Sequence, residues 1–284
     1  MTSMKKSLLA AAACALMGLA SSAQAGVIID MFVDPVGGIQ RVETETLGAT
    51  VANQSGPFAT TNVIGGYRDL SVTKLTDSSP SVNVGATNVT VDSGILSFSN
   101  ATGVTGKAVI TWDGVNLAGA GGLNVLPTGF GGTGIDLTAG GFANQFFVDV
   151  FSADLGFNYS ISVWDMDGDK STLSAGVQFQ VNSPIATNYF FDWFNLPTGT
   201  YCNGAAVPPA CTDPFTELQF GIVRTGDIDF TRIGAIQLTL QGSRADLDMS
   251  IGTIKTVPEP ATMGLVGLAL LGAGALSRRR AQKN

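Results

Sequence analysis

A recurring alternation of apolar and polar side chains is the feature that most constrains the fold. It fills short runs between residues 27 and 256, and Gly, Asn, Asp or Pro interrupts these runs. No stretch of this body keeps an apolar period of 3.6 residues over about three helical turns, so we predict an all-β body with very little helix. The predicted strands are 27–33, 67–74, 81–91, 94–99, 107–112, 145–152, 158–165, 171–181, 187–194, 216–224, 233–241 and 246–256.

Strands of this number and length suit a two-sheet antiparallel β-sandwich of the jelly-roll type, in which each strand buries alternate residues. The Gly-rich segment 118–141 carries few alternating positions and predicts a long connection between two halves. It also leaves open a division into two domains. We expect one β-sandwich body over residues 26–256, with a targeting segment on each side at 1–25 and 257–284.

Charge and residue usage exclude several classes of function. The chain has a net charge of −7 and no histidine. Its basic clusters lie in the two terminal segments, so the body is acidic and we expect no nucleic-acid partner. The lack of imidazole removes every catalytic triad that uses histidine as its base, and we assign no catalytic residue and no cofactor from these residues.

The N-terminal segment has the order of a signal peptide. Lys5 and Lys6 precede an apolar stretch over 8–20, and a small-x-small pattern ends at Ala25. Cleavage is therefore expected between Ala25 and Gly26, with the secretory translocon and signal peptidase as partners. Removal of this segment leaves Cys202 and Cys211, which we expect to form a disulfide in an oxidising compartment.

The C-terminal segment reads as a processing and membrane signal. Pro258, Glu259 and Pro260 predict an extended presentation of one carboxylate, because proline disfavours helix at and before its own position. An apolar run over 261–276 follows and would span roughly 24 Å as a helix, slightly less than the roughly 30 Å hydrocarbon core. The three arginines Arg278, Arg279 and Arg280 then favour a cytoplasmic C-terminus.

This three-part order resembles the PEP-CTERM sorting signal of Gram-negative bacteria, which the membrane protease-transferase exosortase processes. The resemblance implies an inner-membrane intermediate with a periplasmic body, then cutting near Pro258–Pro260 and delivery to the cell surface or the extracellular space. An ordinary C-terminal membrane anchor is the alternative. Short sequence segments at 65–70, 153–156, 229–236 and 245–248 also resemble segments of exported PEP-CTERM proteins.

The acidic run at Asp165, Asp167 and Asp169 has two interpretations. Three carboxylates at alternate positions are found in calcium loops. The EF-hand pattern fails, however, because Lys170 stands where its glycine belongs and Gly176 where its bidentate acid belongs. The alternative is a β-hairpin turn around Asp167–Gly168 with solvated carboxylates.

An aromatic run suggests a second candidate site. Tyr189, Phe191 and Trp193 would share one face of a strand, and an exposed aromatic face can serve as a platform for sugar rings. A strand buried in the core gives the same pattern. Paired carboxylates at 227 and 229, or at 246 and 248, match the spacing of a glycosidase acid and base, and they also fit an ordinary polar strand face.

The sequence thus favours a non-catalytic, exported and exosortase-processed surface or matrix protein. The family resemblance implies an association with exopolysaccharide and biofilm formation, and contact with the membrane through the C-terminal helix before processing. The second hypothesis is a carbohydrate-binding β-sandwich module, with calcium as a possible ligand. The third is a polysaccharide-active enzyme.

Overall fold

The computed structural model describes residues 26–77, 85–115, 123, 129–154, 157–177, 187–191, 193–202, 205–206, 219–242 and 245–258. Within them the chain forms β-strands and two short 3₁₀ turns, Ile64–Gly66 and Gly129–Gly132, and no α-helix. The strands are β1 (Ile28–Asp30), β2 (Gln40–Thr44), β3 (Thr50–Ser55), β4 (Arg68–Thr76), β5 (Thr87–Asp92), β6 (Ile95–Asn100), β7 (Thr105–Trp112), β8 (Gln145–Ala153), β9 (Phe157–Asp165), β10 (Lys170–Val177), β11 (Thr187–Phe191), β12 (Gly199–Cys202), β13 (Ala205–Ala206), β14 (Gln219–Thr225), β15 (Ile233–Gly242) and β16 (Asp248–Val257).

These strands form two sheets, and every pair of neighbouring strands is antiparallel. Sheet A has seven strands in the order β11-β8-β16-β6-β5-β2, and β1 also pairs with β16. Sheet B has nine strands in the order β13-β12-β14-β10-β9-β15-β7-β4-β3. The prediction of an all-β, two-sheet antiparallel sandwich is confirmed, and its jelly-roll type stays a prediction.

One hydrophobic core lies between the sheets. In β6 the buried residues alternate with partly exposed ones, so that Leu96 and Phe98 point inward. In β7 the inward residues are Ala108, Ile110 and Trp112. Full burial of such a side chain contributes about 1.5–3 kcal/mol, and the alternation repeats this gain along each strand. The core draws on residues that precede and follow the Gly-rich segment 118–141.

Strand β4 departs from the usual inward pattern because charged residues occupy both ends of its core-facing row. Arg68 and Lys74 are fully buried, with Leu70 and Val72 between them. The Lys74 ammonium donates to the Asp77 carboxylate at 2.6 Å and to the Gly85 carbonyl at 2.9 Å. It also donates to a third acceptor, the backbone carbonyl of residue 45, at 3.0 Å. Each Lys74 proton therefore has an acceptor, which compensates for the loss of water.

Each predicted strand overlaps an observed one, and the structure adds β2, β3, β12 and β13. Strand β2 has the burial alternation of a strand, but two of its inward residues are the polar Gln40 and Thr44. Strand β3 is an edge strand with no fully buried residue. Neither strand shows the apolar alternation from which strands are predicted, which explains why both were missed.

Candidate functional site

The last strand of the body ends one residue before the proline that opens the tail motif. Strand β16 lies inside sheet A between β8 and β6, and β1 pairs with its C-terminal part. Val257 pairs with Gln145 of β8, and Pro258 follows directly. The predicted processing motif thus begins directly after the end of an interior strand. Glu259 and Pro260 lie outside the described residues.

The predicted mature N-terminus lies against the same strand end. The Thr256 amide donates to the Val27 carbonyl at 2.8 Å, and the Val27 amide donates to Thr256 Oγ1 at 2.9 Å. A Cβ atom on Gly26 would lie 1.6 Å from the Thr256 carbonyl oxygen, so only glycine permits this approach. Pairing of β1 with β16 therefore brings the two predicted processing positions together. Ala25 lies outside the described residues.

A cleft of about 620 Å³ opens beside these paired chain ends. Its lining comes from Gly26–Ile28, from the segment before β4 and from the segment after β7. Gly65 has a φ of +68°, and a Cβ atom there would lie 2.4 Å from the Phe130 ring. Glycine at this position lets the backbone and the ring close the bottom of the cleft. We call this part of the molecule, which comprises the cleft and the paired segments 26–30 and 254–257, the exit end.

A buried ion pair fixes β1 at the exit end. Arg68 of β4 donates to both oxygens of the Asp30 carboxylate, at 2.9 and 3.1 Å, and to Gln40 Oε1 at 2.9 Å. The Trp112 indole donates to the same carboxylate at 2.8 Å. Burial raises the pKa of Asp30, and the Arg68 charge and the Trp112 hydrogen bond oppose this rise. The network joins sheet A to sheet B and holds β1 in place beside β16.

The guanidinium of Arg68 also lies near two aromatic rings. It is 4.9 Å from the Phe58 ring centroid and 5.8 Å from that of Phe32. Both distances are within the range of cation–π attraction. The Gly65–Leu70 segment of the sequence therefore has a structural explanation, because its glycine shapes the cleft and its arginine ties the two sheets.

The tail that leaves the exit end matches a family model. Residues 256–280 match the PEP-CTERM protein-sorting motif. The chain is a PEP-CTERM protein. The match begins within β16, at Thr256, so the sorting motif and the folded body share their boundary residues. The motif implies exosortase as the processing partner and export through a membrane-anchored intermediate.

The other comparisons give no functional information on this PEP-CTERM protein. No curated protein matches the chain. Among solved structures, the structure of PfGH50B matches with 12% identity and a TM-score of 0.37, over 61% of this chain and 22% of that chain. The PEP-CTERM protein thus spans about a fifth of the length of that structure, and a likeness at this level carries no argument.

The membrane part of the signal lies beyond the described residues. In the part of the chain that the structure describes, no helix has the length and apolar character needed to cross a membrane. The predicted helix over 261–276 and the basic residues Arg278, Arg279 and Arg280 are outside that part. Cys211 is outside it as well, while Cys202 ends β12, so their disulfide stays a prediction.

The acidic run forms the turn between β9 and β10, and its first carboxylate holds the backbone together. Asp165 is buried, and its Oδ1 accepts the amides of Asp167 and Asp169 at 3.0 and 2.9 Å. Its Oδ2 accepts the Asp229 amide at 3.0 Å. Asp167 is exposed and lies 3.4 Å from Arg232. This geometry favours the hairpin interpretation, and calcium binding here stays a hypothesis.

The prediction of an exposed aromatic platform is wrong for two of its three residues. Phe191 and Trp193 are fully buried. Phe191 packs edge-to-face on Tyr159 and Phe220, and the Trp193 indole donates to Ser171 Oγ at 2.9 Å. A sugar ring cannot stack on these side chains, because other side chains of the core cover both of them. The Tyr189 side chain lies outside the described residues.

One carboxylate of each proposed acid pair, Asp229 or Asp246, accepts a backbone amide of a loop. Asp229 Oδ1 accepts the Thr231 hydroxyl at 2.6 Å and the Thr231 amide at 2.9 Å, and these hydrogen bonds lower the pKa of Asp229. Asp246 accepts the Gly103 amide. Burial first, and then the Asp154 and Asp246 charges, raise the pKa of Asp248, which is nevertheless exposed. These contacts explain the acidic positions in the shared segments by loop structure.

The outside of sheet B carries a polar surface that was not predicted from the sequence. Rows of Ser, Thr, Asn and Gln run across neighbouring strands there, such as Ser160 between Thr239 and Ser174. A shallow cavity of about 300 Å³ lies on this face, near Asn158 and Gln241. The Lys170 ammonium lies 4.7 Å from the centroid of the partly exposed Trp164 ring. Cross-strand pairing, which is not visible along the chain, assembles these residues into one surface.

Proposed function

We propose that this PEP-CTERM protein is a non-catalytic protein of the cell surface or extracellular matrix that exosortase processes and that associates with exopolysaccharide in biofilm. The sorting motif at residues 256–280 is the observation that carries the proposal. The exit end supports it, because Gly26 lies against Thr256 and Val257, directly before Pro258, and both predicted cuts would leave an intact sandwich.

The sorting step can be tested in a host that contains exosortase. Replacement of Pro258, Glu259 and Pro260 by alanine should leave a full-length, membrane-retained chain, because the extended acidic motif is lost. Immunoblots of membrane and medium fractions measure this. A matched control replaces Arg278, Arg279 and Arg280 by lysine, which keeps the basic charge and should preserve processing. Unchanged release of the alanine variant would contradict the proposal.

A second candidate function is carbohydrate binding by the polar face of sheet B. Neutral hydrogen-bonding groups such as Asn158, Ser160 and Gln241 surround the shallow cavity on this face. Such groups suit the hydroxyls of a neutral polysaccharide.

Affinity electrophoresis through gels that contain neutral polysaccharides tests this candidate. Combined Asn158→Ala and Gln241→Ala substitutions should weaken retention about tenfold, since each removes a hydrogen bond of roughly 0.7 kcal/mol. Arg41→Ala, on the exposed part of β2, is the control and should retain binding. Equal retention of the double variant and the control would exclude this face.

A further inference from the structure

Two carboxylates meet on the outer face of sheet B near the exit end. Asp69 of β4 lies opposite Gln54 of β3 and opposite Thr111 of β7. It points outward, because its neighbours Arg68 and Leu70 face the core. Residue 113 is two positions beyond Thr111 and so points to the same face as Thr111. Asp69 and residue 113 are thus diagonal cross-strand neighbours, a relation in which side chains remain within reach of each other.

Both carboxylates are almost fully removed from solvent, and they differ in their contacts. Asp69 is 6% exposed and Asp113 is 1% exposed. Asp113 Oδ1 accepts the Val115 amide at 3.1 Å. Among the described residues Asp69 takes part in no ion pair, and neither of its oxygens has a hydrogen bond within the usual distance. The buried Gln54 amide nitrogen opposite Asp69 is a neutral donor to this carboxylate, and it lies beyond that distance.

An ionised carboxylate in this position needs a positively charged partner, and among the described residues no Lys or Arg forms an ion pair with Asp69. Desolvation of a carboxylate without compensation costs several kcal/mol, and the Asp113 charge adds repulsion. The buried Asp30 carboxylate shows the usual solution, since Arg68 neutralises it. At Asp69 the neutralising positive charge would have to come from a small cation that enters from the solvent.

We propose that Asp69 and Asp113 bind a Ca²⁺ ion, with the Thr111 hydroxyl as a neutral oxygen ligand. The available atoms are carboxylate, hydroxyl and amide oxygens, the hard ligands that calcium prefers. Among the described residues no three acidic, cysteine or histidine side chains cluster around one point. The site therefore has two carboxylates and neutral oxygens, a composition that suits the weak calcium sites of extracellular modules.

Thermal unfolding of the full chain in detergent, with calcium or with a chelator at matched ionic strength, tests the proposal. At a calcium concentration about ten times the Kd, the Tm of the wild type should rise by about 3–6 °C. Asp69→Asn removes the charge at constant shape, and its Tm should not respond to calcium. Asp167→Asn, at the exposed hairpin, is the matched control and should respond like the wild type.

Two results would overturn the proposal: a wild type that does not respond to calcium, and an Asp69→Asn variant that responds fully. A proton shared by the two carboxylates is the competing occupant, and pH separates it from calcium. In chelator the wild-type Tm should fall between about pH 5 and about pH 8, as the proton leaves. Calcium should remove most of this fall. An equal fall in calcium and in chelator would assign the site to a proton and refute the calcium site.

Discussion

The hairpin at Asp165 and the pair at Asp69 are two buried acidic regions of the same sheet with opposite local chemistry. Asp165 accepts three backbone amides, so its charge is satisfied by the fold. Asp69 accepts no backbone amide and faces only the neutral Gln54 amide, although it is nearly as buried. The first of the three alternating carboxylates that resemble a calcium loop therefore holds a turn together, while an inconspicuous aspartate lacks a positively charged partner among the described residues. The number of acids along a chain is a poor guide to ligand binding, and the donors around each acid are a better one.

The largest effect expected from this comparison is on the hairpin. Asp165→Ala should lower the free energy of unfolding by about 3 kcal/mol, because three amides lose their acceptor in a buried place. Asp165→Asn keeps one acceptor oxygen and should cost about half as much. Denaturant unfolding of the full chain measures both. The comparison would break if Asp165→Ala were as mild as Asp69→Asn.

A smaller effect concerns pH and distinguishes the two regions directly. Burial raises the pKa of Asp69 to about 7; the Gln54 amide opposes this rise, and the Asp113 charge adds to it. The folded state then keeps a proton that the unfolded chain has released, so this contribution to stability is present at low pH and is lost as pH rises towards the folded pKa. In chelator, stability should fall by about 2 kcal/mol between about pH 5 and about pH 8.

The matched variant for this pH effect is Asp69→Asn, in which the fall should disappear. Urea unfolding at each pH, with both proteins in the same buffers, provides the measurement. A wild-type profile that the variant reproduces would show that Asp69 is ionised at little cost, and the contrast with Asp165 would then be lost.

The smallest effect belongs to the exposed tip of the hairpin. Asp167 lies 3.4 Å from Arg232, and both side chains are largely exposed, at 70% and 51%. Such surface pairs contribute little, so Asp167→Asn should change the free energy of unfolding by less than about 0.5 kcal/mol. Thermal unfolding with and without calcium sharpens the comparison, because loss of the calcium response in this variant would move the site from Asp69 to the hairpin.

The sequence predicts local features of this protein well and distant ones poorly. Strands such as β9 and β10 follow from alternation and from the turn residues between them, and the sorting motif follows from its order of residues. The burial of Trp193 depends on contact with Phe146 and Phe230, which are distant in sequence, and so it could not be derived from the aromatic run.

The contacts at the exit end could not be predicted from the sequence either. The hydrogen bonds between Val27 and Thr256 join residues 229 positions apart, and no pattern along the chain reveals them. One signal was available for the buried ion pair: Arg68 and Lys74 stand in phase with Leu70 and Val72, where an inward row should be apolar. A charge in such a row indicates a buried partner, as Asp30 proves to be for Arg68.

The interior position of β16 has a mechanical consequence. A chain held at its C-terminus transmits any pull on the body along this strand, which is paired with β8 on one side and with β6 and β1 on the other. Force along an antiparallel strand loads its hydrogen bonds in shear, so that many must break together instead of one after another. The sandwich is therefore suited to remain folded under flow or traction while it is tethered through the residue that follows Val257.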